Sequence, residues 1–204
     1  EFADCIDLIS ISLPRTVKSI GDAAFEKCKK LQSIIIPDGL TSIGDAAFED
    51  CEILKSITIP ENVTSIGTKA FFGCDSLSIC WNAKKCSSNQ LGFGVKSCIF
   101  GDSVEYIPPK LLQGINSLVS VTLPKGLTVI EDKFFQNCTS LSSVTIPDGV
   151  IEIGSYAFQH CVSLSSINIP SSVLNFGYNV FDGCYNLHSV TYELSNVNIA
   201  FGNE

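Results

Sequence analysis

The chain has 204 residues, 45% of them hydrophobic, and a formal net charge of −8 at pH 7. This charge disfavours nucleic acids and anionic membrane surfaces as partners, since both require concentrated lysine and arginine. No apolar run reaches the roughly 18 residues of a membrane span, and no signal segment opens the sequence. We therefore expect protein or glycan partners and no membrane insertion. Methionine is absent, which favours a processed product or an excised fragment.

A 23-residue repeat runs through the sequence, marked by a phenylalanine followed three residues later by a cysteine. Self-similarity at this period is typical of a solenoid, in which each unit stacks on its neighbours. We expect one solenoid domain over residues 1–204, with about nine coils. The pairs are Phe2/Cys5, Phe25/Cys28, Phe48/Cys51, Phe71/Cys74, Phe135/Cys138, Phe158/Cys161 and Phe181/Cys184.

Each unit predicts three elements in chain order, as residues 15–37 illustrate. The pattern V-x-x-I-G at 17–21 predicts a short extended segment whose glycine permits a turn. The run at 22–31 has apolar residues at positions i, i+1, i+4 and i+7 of its helical period, which predicts a short amphipathic helix of about two turns. Alternation at 33–36, closed by Pro37, predicts a strand. Stacked units would place these strands in one parallel sheet, an α/β architecture.

The recurring apolar positions are expected to fill the core of the stack. Free cysteine is a frequently buried small hydrophobe, so seven copies at one position favour packing over chemistry. Parallel side chains do not converge on a point, as metal ligands must, and they lie too far apart for disulfides along the column. One buried strand column is predicted to contain Ile34, Ile57, Val121, Val144, Ile167 and Val190.

The repeat is disturbed between Cys74 and Cys138. Residues 101–124 still fit the template, with Leu112 for phenylalanine and Ile115 for cysteine, whereas about 80–101 form an irregular coil, shortened or looped out. A disulfide between Cys86 and Cys98 would pin this coil if the protein is exported. A zinc site is disfavoured, because the spacing of the three cysteines in this coil matches no metal-binding pattern. These cysteines are Cys80, Cys86 and Cys98.

The repeat xxVTSIGDAAFEDCxxLxSITIP, as at residues 38–60, resembles the BspA-type leucine-rich repeat, and the segments 81–86 and 97–112 are similar to the insertion-bearing units of such proteins. The resemblance covers essentially the whole chain. It implies a right-handed solenoid with a parallel sheet on its concave face. It also implies an extracellular or cell-surface protein that acts in adhesion or protein interaction, without catalytic residues.

Two regions are candidate binding surfaces. The outward strand positions carry short hydroxyls, among them Ser120, Thr122, Ser143 and Thr145. These could dock an extended protein or a glycan, could merely make cross-strand hydrogen bonds, or could resemble an ice-binding lattice. The irregular coil is the second region, because unusual loops in repeat proteins and clustered aromatics both favour binding. Its aromatics are Trp81, Phe93, Phe100 and Tyr106, although Trp81 could instead fill the gap in a malformed coil.

No catalytic, cofactor-binding or metal-binding set is evident. The two histidines, His160 and His188, occupy different repeat positions and lack partner motifs. The remaining alternatives to an adhesion module are a structural spacer that presents another domain and an intracellular scaffold, which unpaired thiols would suit. Exposed solenoid ends would also favour end-to-end self-association. Glycosylation sequons occur at Asn62 and Asn137.

Overall fold

The structure, a computed structural model, describes residues 1–88 and 91–192. The chain forms a parallel β-solenoid whose strands lie in two walls. The strands in these residues are β1 (Ser10–Ser12), β2 (Ser19–Ile20), β3 (Ser33–Ile35), β4 (Ser42–Ile43), β5 (Ser56–Ile59), β6 (Ser65–Ile66), β7 (Ser78–Trp81), β8 (Ser87–Ser88), β9 (Ser97–Phe100), β10 (Ser120–Thr122), β11 (Val129–Ile130), β12 (Ser143–Thr145), β13 (Glu152–Ile153), β14 (Ser166–Ile169), β15 (Asn175–Phe176) and β16 (Ser189–Tyr192).

The first wall, which we call the main sheet, contains the longer strands. Its order is β1-β3-β5-β7-β9-β10-β12, and the parallel pair β14-β16 continues it beside β12. The second wall contains the two-residue strands in two separate sheets, β2-β4-β6-β8 and β11-β13-β15. The remaining side of each coil is a series of turns around the Phe/Cys pair, which we call the turn wall.

Every main-sheet strand begins with a serine, and these serines are paired in register along each of the two sheets. The repeat spacing shortens to 22 residues between Ser56 and Ser78 and to 19 between Ser78 and Ser97, yet both shortened coils keep this register. The residue after the serine faces inward. The predicted column is thereby confirmed and extended by Ile79 and Cys98, with Val190 half-buried at its end.

The predicted short helices are wrong. The described residues contain no helix, and therefore none able to cross a membrane. The turn wall is instead joined by hydrogen bonds between coils, such as Phe25 N–H to the Ala47 oxygen at 2.8 Å. The second residue after each phenylalanine has a left-handed backbone, as at Lys27 (φ 58°) and Asn137 (φ 62°). A right-handed helix cannot continue through such a residue.

The phenylalanine column forms two stacks of rings inside the turn wall. Neighbouring centroids lie 5.3–5.6 Å apart from Phe2 to Phe71, and 5.1–5.5 Å apart from Phe135 to Phe181. Between the stacks, Leu91 and Leu112 occupy the equivalent positions and are fully buried. The leucines keep the column filled, but the stack of rings is interrupted.

The cysteine column has a hydrogen-bonding role that the repeat pattern alone did not indicate. Each buried column thiol donates to the carbonyl at the phenylalanine position of the preceding coil, 26 residues earlier, over 2.9–3.2 Å. Burial raises the pKa of the Cys51 and Cys138 thiols to about 12. The same carbonyls also accept a backbone N–H within their own coil, as the Phe25 oxygen does from Cys28 at 3.2 Å, so the thiol is a second donor that links successive coils. The donors are Cys28, Cys51, Cys74, Cys138, Cys161 and Cys184.

Candidate interaction surfaces

The outward face of the main sheet is a nearly uncharged surface of hydroxyl and apolar groups. Two columns of side chains point outward from each strand, because alternate residues of a strand face opposite sides. The first column is the serine column. The second column contains Ser12, Ile35, Thr58, Cys80, Ile99, Thr122, Thr145, Asn168 and Thr191.

Most outward hydroxyls of the main sheet are open to a ligand. Ser120, Thr122, Ser143 and Thr145 are exposed and make no side-chain hydrogen bond with the described residues. Only a few of these hydroxyls make the cross-strand hydrogen bonds that were the alternative to ligand binding, as in the bond from the Ser97 Oγ to the Ser78 Oγ at 2.8 Å. These hydroxyls therefore retain both donor and acceptor capacity.

The centre of this face carries exposed aliphatic side chains among its hydroxyls. Register places Thr58, Cys80, Ile99 and Thr122 side by side across β5, β7, β9 and β10. Ile99 is 49% exposed, and Val119, which directly precedes the serine of β10, is 44% exposed. The middle of the sheet thus combines exposed aliphatic surface with flanking hydroxyls, a combination suited to protein contact.

Trp81 is a core residue and does not belong to the surface. It faces inward from β7, in line with Ile59 and Phe100, and is fully buried. Its ring centroid lies 6.2 Å from that of Phe100, and its buried Nε1 has no hydrogen-bond partner. The structure thus supports the alternative in which Trp81 fills the irregular coil.

The other predicted aromatics lie on different sides of the molecule. Phe93 is on the turn wall, edge-on to Phe72 at 5.8 Å, and its oxygen accepts the Gly73 N–H. Tyr106 is on the second wall, where it forms an isolated parallel bridge with Lys85. Both rings are partly exposed, but the structure does not bring them together with the main-sheet hydroxyls.

Cys86 and Cys98 are free thiols, so the predicted disulfide between them is absent from the structure. Cys98 faces inward from β9 between Ile79 and Val121, and it serves as a column residue. Burial raises the pKa of both thiols, that of Cys86 to about 12. Within residues 1–88 and 91–192, no group of three or more potential metal ligands occurs.

Charged residues form ladders of exposed ion pairs between successive coils. Lys29 meets Glu52 at 2.8 Å, Lys84 meets Glu61 at 2.9 Å, and Lys125 meets Asp102 at 3.3 Å. Such pairs contribute little stability because water screens them. They mark a solvated surface, in contrast to the two outward columns of the main sheet, which contain no charged residue.

The chain matches the BspA type Leucine rich repeat region over residues 1–92 and 87–202, in six copies. A leucine-rich repeat protein from Bacteroides ovatus is 36% identical, with a TM-score of 0.74 over 92% of this chain and 50% of that one. A leucine-rich repeat protein of T. pallidum is 28% identical, with a TM-score of 0.50 over 91% of this chain and 68% of that one.

A leucine rich cell surface protein from Faecalibacterium prausnitzii is 27% identical, with a TM-score of 0.49 over 96% of this chain and 62% of that one. The chain thus spans between half and about two thirds of the length of these solved relatives. It matches no curated protein. The family match covers nearly the whole described chain, and the chain belongs to the BspA-type leucine-rich repeat family.

Proposed function

We propose that this chain is a non-enzymatic protein-interaction module that binds through the outward face of the main sheet. The observation that carries the proposal is the column of serines from β1 to β12, which keeps its register through the shortened coils. Seven hydrogen-bonded strands, each about 4.8 Å from the next, make this platform the largest sheet in the described residues.

The chemistry of the platform favours a protein with a polar, weakly charged surface. Unpaired hydroxyls at Ser120, Thr122, Ser143 and Thr145 supply adaptable hydrogen bonds. The exposed aliphatic centre at Ile99 supplies the desolvated contact that usually dominates binding. A glycan would use the hydroxyls but would gain less from the aliphatic centre.

We place the module at the cell surface or outside the cell, as an adhesion component. This location is supported by the chain's membership of the BspA-type leucine-rich repeat family, since resemblance to that family implies a surface role. The free thiols are compatible with this location. Most are buried, and burial raises the pKa of those such as Cys51 and Cys138 to about 12, which leaves little thiolate to oxidise.

Charge placed on the platform tests the proposal. A Thr122→Glu/Thr145→Glu double variant adds two carboxylates to the main sheet. Thr16→Glu/Ser19→Glu adds the same charge to exposed positions on another side of the coil. Binding of each purified protein to intact neighbouring cells or host cells is measured as a saturation curve, after circular dichroism confirms folding.

The first variant is expected to weaken binding about tenfold or more, because a buried unpaired carboxylate is costly at an interface. The second is expected to bind like the unmodified chain. Equal binding by both variants would place the contact elsewhere, and no saturable binding by the unmodified chain would favour the spacer alternative.

A further inference from the structure

The second wall is interrupted where the main sheet is continuous. One of its sheets ends at β8 and the other begins at β11. We call the second-wall segment of each coil a tier. The tier between these two sheets, residues 104–107, forms only the isolated bridge between Lys85 and Tyr106 among the described residues. Two prolines, Pro108 and Pro109, follow that tier at once and have no N–H for a ladder. Pro108 stands at the position where Gly44 and Gly67 donate to the coil before them, so it cannot make that bond.

Backbone donors that are paired elsewhere in this wall lack partners at the break. The N–H of Thr41 donates to the Lys18 oxygen at 2.8 Å, and that of Ile151 donates to the Thr128 oxygen at 2.7 Å. The N–H and hydroxyl of Thr128, at the same position of the coil, donate to no described residue. Thr128 is exposed, so its unpaired donors are those of a strand edge, which can pair with another chain.

A second donor of the same tier repeats this pattern. The N–H of Gly154 donates to the Ile130 oxygen at 2.7 Å, and that of Gly177 donates to the Ile153 oxygen at 2.8 Å. The equivalent N–H of Glu131 has no acceptor among the described residues. Thr128 and Glu131 therefore present two unpaired donors on either side of β11.

A cleft of about 180 Å³ lies in front of these donors. Its walls include Tyr106, Leu127 and Val129 beside Glu105 and Glu131, so the surface next to the donors is a mixture of apolar and polar groups. The Tyr106 ring is 47% exposed, and the exposed side chains of Ile151 and Leu174 follow in the next two coils of the wall. Exposed apolar side chains thus lie on both sides of the unpaired donors.

The cleft is negatively charged at the end that Glu131 lines. Glu105 and Asp102 already contact Lys85 and Lys125. Glu131, which lines the cleft, has no basic partner in the described residues. An incoming group near Glu131 would therefore be favoured if it were positive.

We propose that this cleft binds an extended segment of a partner protein by β-strand addition. The segment's carbonyls accept the N–H groups of Thr128 and Glu131, an apolar side chain covers Tyr106, and a lysine or arginine pairs with Glu131. Strand addition obtains its affinity from main-chain bonds and its specificity from such alternate side chains. The site is separate from the main-sheet platform and does not depend on it.

Amide hydrogen exchange of the whole chain, without any ligand, tests whether the two backbone donors of the cleft are unpaired. The amides of Thr128 and Glu131 are expected to exchange about tenfold or more faster than those of Ile151 and Gly154, their paired counterparts one coil later. Equal protection at the two tiers would show that the donors are already satisfied and would overturn the proposal.

A phage-displayed library of random nine-residue peptides, selected on the chain, tests the partner. Enriched peptides should carry an apolar residue near a lysine or arginine, and should slow exchange at Thr128 and Glu131. Tyr106→Ala and Glu131→Lys should each weaken binding about five- to tenfold. Glu52→Lys, the same charge change at an exposed residue outside the cleft, and the main-sheet variant Thr122→Glu/Thr145→Glu should leave it unchanged.

An absence of enriched peptides overturns the strand-addition site. So does enrichment whose binding is lost in the main-sheet variant but retained in Tyr106→Ala and Glu131→Lys. Since Tyr106 and Glu131 are both exposed, these changes are expected to leave the fold intact, which circular dichroism checks.

Discussion

The regular coils and the interval from Ser78 to Pro124 share one main sheet but differ in the turn wall and in the second wall. In the regular coils, phenylalanine rings stack 5.1–5.6 Å apart and column thiols donate to the carbonyls of the preceding coil. In the interval, Leu91, Leu112 and Ile115 replace those side chains, and the second wall is broken. Strand pairing is nevertheless continuous from β7 through β10.

The difference shows that the main sheet keeps its strand pairing through the whole interval, whereas the second wall does not. A main-sheet strand needs only a serine, an inward apolar residue and extended backbone, which β7 and β9 retain across a spacing of 19 residues. The second wall keeps the pairing of β6 with β8 but has no strand between β8 and β11 in the described residues. This break leaves the cleft and the unpaired donors beside β11.

Alkaline pH is expected to have the largest effect, since it acts on the whole thiol column. Thiols of the unfolded chain ionise from about pH 8.5, whereas burial raises the pKa of Cys51 and Cys138 to about 12. Between these values the unfolded state binds fewer protons, so the free energy of unfolding falls as pH rises. We expect about 1 kcal/mol per buried thiol per pH unit, measured by urea unfolding at pH 7 to 10.

The thiol origin of this alkaline slope can be checked at single positions. Cys51→Val should make the slope shallower by about one thiol's share, or about 1 kcal/mol per pH unit. Ile115→Val, at the column position without a thiol, should leave the slope unchanged. A stability that stays flat from pH 8 to 10 would contradict the burial of the column.

Removing a ring from a stack should cost more than removing its leucine substitute. Phe48→Ala is expected to lower the free energy of unfolding by about 3–5 kcal/mol, since it leaves a large cavity and ends two ring contacts. Leu112→Ala is expected to cost about 2–3 kcal/mol. Urea unfolding at pH 7 compares the two, and an equal loss would mean that stacking adds nothing to burial.

Most of the main sheet could be predicted from the repeat, because its period sets which side chains align. The helices could not, because apolar spacing also suits stacked turns. The decisive signal was the residue two after phenylalanine, where Gly73, Asn137 and Gly183 favour a left-handed backbone. The thiol donors were missed because their acceptors lie 26 residues away in a neighbouring coil.

Trp81 shows why the candidate site was harder to predict than the fold. A strict 23-residue register aligns it with the outward Thr58. The structure pairs Ser56 with Ser78, which is one residue short of that period, and so aligns Trp81 with the inward Ile59. A slip of one residue moves a strand side chain to the opposite face. Sequence periodicity cannot locate such a slip inside an irregular coil.

The thiol hydrogen bond should have a moderate effect that a matched pair of variants isolates. At Cys161, serine keeps a donor for the Phe135 oxygen, which the thiol reaches at 3.2 Å, and alanine does not. Cys161→Ser is therefore expected to be more stable than Cys161→Ala by about 1 kcal/mol in urea unfolding. Leu141 is buried and its side chain has no hydrogen-bonding group, so Leu141→Ser should be less stable than Leu141→Ala. If the serine variant is the more stable one at both positions, the difference at Cys161 does not come from a hydrogen bond.

Trp81→Phe should have the smallest effect, although Trp81 is among the largest fully buried side chains. The buried Nε1 has no acceptor, and an unsatisfied buried donor costs about 1–3 kcal/mol. Phenylalanine removes that donor and loses some packing volume, so the two effects offset each other to within about 1 kcal/mol. Trp81→Ala, which loses the whole ring, is expected to cost about 3–5 kcal/mol in the same urea titration. A loss above about 2 kcal/mol in Trp81→Phe would mean that ring volume outweighs the orphan donor in the irregular coil.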